Sequence, residues 1–192
     1  MKYYLDITLL PDAETNLGFL WQKIYQQIHL ALVENKVGKN QSEVAVSFPE
    51  YGNKGFPLGA KLRLFAETKE KLEQFHIGQW LKRFTDYVHC TSIKGVPESV
   101  SSFACFERFQ IASNKECKAR RRVKRHGGTF DEALAYFINY EEQFSEFPFI
   151  NMNSLSKNEK FKLFVNKTDV REQCDGGFNC YGLSKIATVP LF

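Results

Sequence analysis

The order in which apolar spacings alternate along the first half of the chain limits the fold more than any other feature. Leu17, Leu20, Trp21, Ile24, Ile28 and Leu32 recur at intervals of three and four. On a helix they share one face, so residues 17–33 predict a long amphipathic helix. Thr15 or Asn16 is its expected N-cap, because either side chain can accept from the free amides of the first turn. Before it, Tyr3-Tyr4-Leu5-Asp6-Ile7-Thr8-Leu9 reads as a strand stopped by Pro11-Asp12. After it, Val44-Ala45-Val46-Ser47-Phe48 and Leu62-Arg63-Leu64-Phe65-Ala66 read as two more strands joined by a Gly-, Asn- and Pro-containing loop. Helical spacing returns over residues 68–88, in one or two pieces, with Ile77, Trp80, Leu81 and Phe84 on one face. Residues 88–93 form a fourth short strand before Gly95 and Pro97.

This β-α-β-β-α-β order predicts an α+β protein whose N-terminal domain is ferredoxin-like, an antiparallel sheet with both helices on one face. The predicted domains are residues 1–97 and 98–192, the second an α+β domain carrying an arginine-rich helix and a C-terminal Gly-rich motif. Ferredoxin-like scaffolds often bind RNA, but fold alone does not give function, and no strand shows the aromatic signature of an RRM. In the second half, Phe147-Pro148-Phe149-Ile150 and Phe161-Lys162-Leu163-Phe164-Val165 read as strands around a polar turn, Lys157-Asn158-Glu159-Lys160.

The 192 residues, 43% hydrophobic with 18 Phe, can bury a real core, and the ordinary charged fraction argues against wholesale disorder. Cys90, Cys105, Cys117, Cys174 and Cys180 are odd in number and form no CxxC pair, which predicts free thiols rather than a disulfide framework. His29, His76, His89 and His126 make no zinc spacing with them, so no metal and no cofactor is expected. The N-terminus is too polar for a signal peptide. No stretch approaches the roughly 18 apolar residues of a membrane span. The expectation is a soluble, cytoplasmic protein without a membrane partner.

Net charge is only +4, but seven of the 26 basic residues fall between Lys115 and Arg125, with Glu116 the one acid among them. Ser113-x-x-Glu116 is a capping-box pattern that opens a helix over residues 115–126, and Gly127-Gly128 ends it. Lys118, Arg121, Arg122 and Arg125 share one side, with Arg120 and Lys124 on its shoulder, and Ala119 and Val123 make the only modest apolar pair. Like charges three and four apart repel, and a polyanion turns that repulsion into attraction. Arginine suits phosphate because its planar fork bonds two oxygens at once. The alternative reading is a solvated charged face. Thr129-Phe130-Asp131-Glu132 is a second capping box, opening a helix with Phe130, Ala133, Leu134, Phe137 and Ile138 as its apolar stripe. Upstream, Arg108 and Gln110 point the same way if their segment is extended. Arginine can pair with a guanine edge and glutamine with an adenine edge.

RNA carries its own nucleophile, the 2′-hydroxyl beside each phosphate, and cutting it needs a base held in line. Histidine, with a reference pKa near ~6.5, is the natural choice. His29 sits on the flank of the first helix's apolar stripe, where a structural histidine is the bland alternative; His126 adjoins the basic helix and suits phosphate binding or the helix C-terminus.

Several segments together make the chain resemble the CRISPR repeat-processing endoribonucleases of type I-F systems. They are Tyr4-Leu5-Asp6-Ile7, Ile28-His29-Leu30-Ala31-Leu32-Val33, Val46-Ser47-Phe48-Pro49, Arg108-x-Gln110 with its arginine helix, and Pro148-Phe149 followed by Ser154-x-Ser156. The tail, Gly176-Gly177-Phe178-x-Cys180-Tyr181-Gly182-Leu183-Ser184-Lys185 with the terminal Phe192, is the most distinctive. The resemblance implies binding of the CRISPR repeat RNA hairpin and metal-free cutting at its 3′ base. The products would be a 2′,3′-cyclic phosphate and a 5′-hydroxyl. It also implies retention on the product within a CRISPR surveillance ribonucleoprotein. His29, Ser154 and Tyr181 fall on the family's catalytic positions, with Ser156 as a support, and Arg108 and Gln110 on its base-reading pair. Arg120, Arg121, Lys124 and Arg125 fall on the phosphate-binding positions, beside Lys118 and Arg122 of the same helix, and Phe161 on the aromatic that stacks against the stem's last pair. Lys124 stands where the family carries arginine, which makes one two-pronged contact a point charge. Two other classes remain as alternatives: a non-catalytic RNA-hairpin-binding assembly subunit, and a duplex-DNA binder.

Overall fold

The computed structural model describes residues 1–111, 114–141, 145–154 and 158–192. The chain divides into two compact units. One joins Met1–Arg108 to Pro148–Phe192, and the other is Phe109–Phe147. Apart from Phe109, both sheets lie in the first unit, and the strands that pair in register do so antiparallel, so the protein is α+β.

In the larger unit, β1 (Tyr3–Leu9) is followed by α1 (Leu17–Glu34), β2 (Ala45–Ser47) and β3 (Lys61–Ala66). Then come α2 (Lys69–Gln74), α3 (Ile77–Trp80), a 3-10 turn (Lys82–Phe84), β4 (Val88–Cys90) and β5 (Lys94–Gly95). The sheet order is β2-β3-β1-β4, with β5 also on β1. β1 and β3 pair from Tyr3 opposite Ala66 to Thr8 opposite Lys61. α1 starts where expected: the Asn16 side chain accepts from the Phe19 amide at 3.0 Å, satisfying one of the free donors of the first turn. The predicted stripe is the buried face, with Leu20, Trp21, Ile24, Ile28 and Leu32 at most 1% exposed, joined by Tyr25 and Ala31. Trp21 places its indole N–H on the Gly59 carbonyl at 2.8 Å, so the largest core ring leaves no polar atom unpaired.

Residues 68–88 do not form one helix or two long ones. The helical spacing is interrupted at His76, whose backbone takes the left-handed conformation (φ 46°, ψ 44°), leaving two short helices and a 3-10 turn. Periodicity places the apolar residues on a common face but does not register a one-residue reversal of the backbone. Across the β1–β3 pair, Arg63 lies opposite Asp6 and donates to both its carboxylate oxygens at 2.5 and 3.0 Å. Its remaining nitrogen reaches the Phe192 carbonyl at 3.0 Å, and its guanidinium lies over the rings of Tyr4 and Phe192. A buried cation thus meets a bidentate acceptor and two aromatic faces, which is what burial of arginine demands.

The second sheet runs β7-β8-β6-β9, where β6 is Phe103–Phe109, β7 Phe149–Ser154, β8 Glu159–Val170 and β9 Val189–Pro190. β7 and β8 pair from Phe149 opposite Phe164 to Ser154 opposite Glu159. β8 begins inside the expected polar turn: Glu159 and Lys160 are already in the strand, Asn158 turns with φ 51°, and Lys157 lies outside the described residues. Polar side chains on the exposed side of a ladder look like turn residues when only composition is read. α1 packs along β7, and the Gln26 side-chain carbonyl accepts from the Asn153 amide at 3.1 Å.

The smaller unit holds α4 (Lys115–His126) and α5 (Phe130–Tyr136), packed together. Asn114, not Ser113, caps α4: its side chain accepts from the Cys117 amide at 2.9 Å, while Ser113 lies outside the described residues. Thr129 and Glu132 form the expected reciprocal capping box of α5. The rings of Phe109 and Phe147 meet edge to face, 5.0 Å between centroids, and hold the two ends of the unit together. No helix among the described residues is long and apolar enough to cross a membrane, and the five cysteines are free.

Candidate RNA-cleavage site and basic helix

The folded tail builds the surroundings of His29. The Asn179 side-chain carbonyl accepts from the amides of Tyr181 (2.8 Å) and Leu183 (3.3 Å), curling the segment into a tight turn. Gly182 completes it with φ +70°, and its carbonyl accepts from the Val46 amide of β2 at 2.8 Å. A Cβ at position 182 would lie 2.3 Å from Val46 Cγ2, so both the backbone sign and the close approach call for glycine. The Ser42 amide holds the Phe178 carbonyl at 2.8 Å, and the Tyr25 hydroxyl donates to the Tyr181 carbonyl at 2.8 Å. Burial pushes the Tyr25 phenol far above its ordinary range, so it acts as a neutral donor.

The clamp delivers two contacts to His29, which is half-buried. His29 Nδ1 lies 2.8 Å from the Cys180 carbonyl. A carbonyl can only accept, so Nδ1 carries the hydrogen and Nε2 is left with its lone pair, the tautomer of a general base. The Tyr181 ring lies parallel to the imidazole, 4.3 Å between centroids and 3° between planes. Burial holds the His29 pKa below its ordinary value; the Cys180 hydrogen bond works against that shift and the nearby Arg108 cation adds to it. The resting imidazole is therefore neutral at neutral pH.

Arg108, near the end of β6, places its guanidinium over Tyr181 (4.9 Å to the centroid) and over Phe161 of β8 (5.4 Å). Ser154 ends β7, next to the Asn153 amide that holds Gln26, which stands one turn before His29 on α1. The structure thus brings His29, Tyr181, Arg108 and Phe161 into one chain of contacts within the larger unit. Ser156 lies outside the described residues, and Gln110 lies past the end of β6, so strand alternation does not extend to it. Of the other histidines, His76 is the left-handed break, His89 is an exposed residue of β4, and His126 is the exposed last residue of α4. Sequence reasoning did not find the Cys180 carbonyl, because a backbone acceptor 151 residues from His29 leaves no mark in residue type. Asn179 was equally missed, although an Asn three residues before a Gly is a turn signal.

On α4 the seven basic side chains do not form one face. Lys118 sits over the Tyr140 ring (3.4 Å) and Arg122 over the Tyr136 ring (3.9 Å), both half-buried. With buried Ala119 they form the side turned to α5 and the segment after it. Aromatic faces replace the apolar stripe the helix lacks, a device available to arginine and lysine stems. Arg120, Arg121, Lys124 and Arg125 are exposed on the other side, with Glu116 near Arg120 at 3.8 Å.

Residues 4–192 match the family model for the CRISPR-associated protein Cas_Csy4. Two curated relatives align over the whole of both chains. The CRISPR-associated endonuclease Cas6/Csy4 of Escherichia coli (strain UTI89 / UPEC) is 34% identical over 193 residues. The protein of the same name from Pseudomonas aeruginosa (strain UCBPP-PA14) is 31% identical over 193 residues. With the family model spanning nearly every residue and both relatives covered end to end, the chain belongs to the Csy4 family of CRISPR-associated proteins.

Proposed function

We propose that the protein is a metal-independent endoribonuclease that recognises a CRISPR repeat hairpin, cuts it at the 3′ base of the stem and stays on the product. The observation that carries this reading is the fixed tautomer of His29. An imidazole with Nδ1 tied to a backbone carbonyl, its lone pair on Nε2 and its pKa held down is prepared to take one proton. RNA supplies the group that gives it: the 2′-hydroxyl loses its proton to Nε2 and attacks the adjacent phosphorus. The P–O5′ bond breaks, leaving a 2′,3′-cyclic phosphate and a 5′-hydroxyl. Because the nucleophile comes from the substrate, no metal-activated water is needed. The family membership and the names of the two relatives support the same chemistry.

The remaining assignments follow. Ser154 orients the ribose hydroxyl, with Ser156 as its support, and Tyr181 holds the imidazole plane. Phe161 offers a flat face to the terminal base pair, while Arg108 and Gln110 read base edges. Arg120, Arg121, Lys124 and Arg125 bind stem phosphates, whereas Lys118 and Arg122 contribute charge from positions already engaged with tyrosines. In this reading residues 1–97, a ferredoxin-like domain by element and strand order, carry the base, and residues 98–192 carry most of the RNA-holding surface. Retention on the product follows because the proposed contacts lie on the stem, which the cut leaves whole. In this reading the protein stays with its RNA as part of a CRISPR surveillance ribonucleoprotein in the cytoplasm.

The test is a hairpin-cleavage assay in excess chelator with a parallel binding measurement. Wild type cuts, and His29→Ala binds with similar affinity but leaves the RNA whole. A wild-type protein that binds and never cuts would establish the assembly-subunit alternative instead.

A further inference from the structure

Four side chains form an unbroken sequence of contacts: Phe161, Arg108, Tyr181, His29. Among the described residues the cation in the middle meets no carboxylate, and its buried Nε has no hydrogen-bond partner. A guanidinium held only by ring faces, with a donor unsatisfied, is in a holding position and moves readily to an acceptor that offers itself. We propose that Arg108 is a positioning residue that couples occupancy of the Phe161 face to the basicity of His29, resting on the aromatic pair in the free protein and leaving it when a stem docks.

The coupling rests on the proposed stacking of a terminal base pair on Phe161. That pair competes for the ring face Arg108 covers and brings acceptors, base edges and phosphates, that the guanidinium lacks at rest. Once bonded to RNA, the cation no longer opposes a positive charge on the imidazole. The sign is definite: a nearby cation depresses histidine's proton affinity, and removing it restores that affinity. Arg108 is one of the groups holding the His29 pKa down. His29 thus gains basicity only when there is a ribose hydroxyl to deprotonate.

Among the described residues, Arg108 is the charged side chain that acts on the His29 imidazole. Tyr25, at a four-residue spacing on α1, is held neutral by burial, and Gln26, Leu32 and Val33 carry no charge. β7 (FINMNS) and α3 (IGQW) contain no titratable side chain. On β1, Asp6 is engaged by Arg63. Burial pushes the Cys180 thiol up, and the charge of Lys36 acts on that thiol.

The experiment is an NMR titration of the imidazoles in the full chain, with the His29 signals identified by their loss in His29→Gln. In the free protein Arg108→Met titrates His29 at a higher pH than wild type, and Arg108→Lys, which keeps the charge, stays close to wild type. Adding a hairpin with deoxyribose at the cut site raises the wild-type midpoint more than that of Arg108→Met. Arg108→Gln replaces the methionine variant if the latter does not fold. Equal midpoints in the free proteins, or an equal rise on adding RNA, overturn the coupling. His29-dependent cutting would still stand in that case, so this failure is told apart from failure of the nuclease reading.

Discussion

At the scale of single residues, one backbone oxygen decides what His29 can do. The Cys180 carbonyl fixes the tautomer, Tyr181 fixes the plane, and partial burial keeps the ring uncharged at neutral pH. These settings make a pH prediction. The neutral fraction of His29 grows as pH rises through its pKa, and that pKa lies below the ordinary value near ~6.5. For the free enzyme, kcat/KM on a hairpin therefore climbs on the acid side towards a plateau, with its midpoint below that of an ordinary histidine. Single-turnover rates at enzyme concentrations well below saturation, from pH 5 to 8, measure it, and a midpoint above ~6.5 contradicts the account. The same residue illustrates what sequence alone could and could not carry. His29 was legible as a candidate, on the flank of a stripe that proved to be the core face of α1. Its neutrality was not, because it depends first on burial in the folded chain and then on the Arg108 charge 79 residues away.

At the scale of elements, α4 divides its charge between two tasks. Lys118 and Arg122 lie on tyrosines, while Arg120, Arg121, Lys124 and Arg125 face outward. Each phosphate contact adds roughly 0.7–0.9 to the salt slope of binding. Arg121→Ala should lower the slope of log K against log salt by about that amount. Arg122→Ala should change it less and instead destabilise the packing of α4 on α5, by about 0.5–2 kcal/mol for a partly desolvated cation–aromatic pair. Equal slope losses in the two variants would show that the tyrosine contacts open on binding. The tail turn carries a second prediction. Gly182→Ala sets a Cβ against Val46 at a positive φ and should cost about 1–3 kcal/mol, read by thermal melting, with cleavage impaired because Cys180 and Tyr181 shift. β1 to β4, β7, β8, α1, α4 and the α5 cap were readable from periodicity and capping residues, whereas β5, β6 and β9 were not. The break at His76 and the split of the basic helix were not: the first is one residue's backbone sign, and the second depends on where Tyr136 and Tyr140 come to rest.

At the scale of the whole molecule, the sequence-distant parts of the larger unit meet around one imidazole. α1 supplies His29 and β2 anchors the tail turn. β6 supplies Arg108, β7 ends in Ser154, and β8 presents Phe161. A long-range arrangement of this kind is what pre-organised chemistry requires, because the reacting groups must be held before the substrate arrives. The tail motif marked this region through its length and its Gly-rich spacing, while the contacts that give it purpose appear only on folding. The central claim is that the RNA's own ribose oxygen is the nucleophile and His29 its base. Replacing the single 2′-hydroxyl at the cut site with hydrogen tests that most directly, in excess chelator and with binding measured in parallel. The account predicts unchanged binding and no cleavage; a deoxy-substituted hairpin cut as fast as the all-ribose one would contradict it.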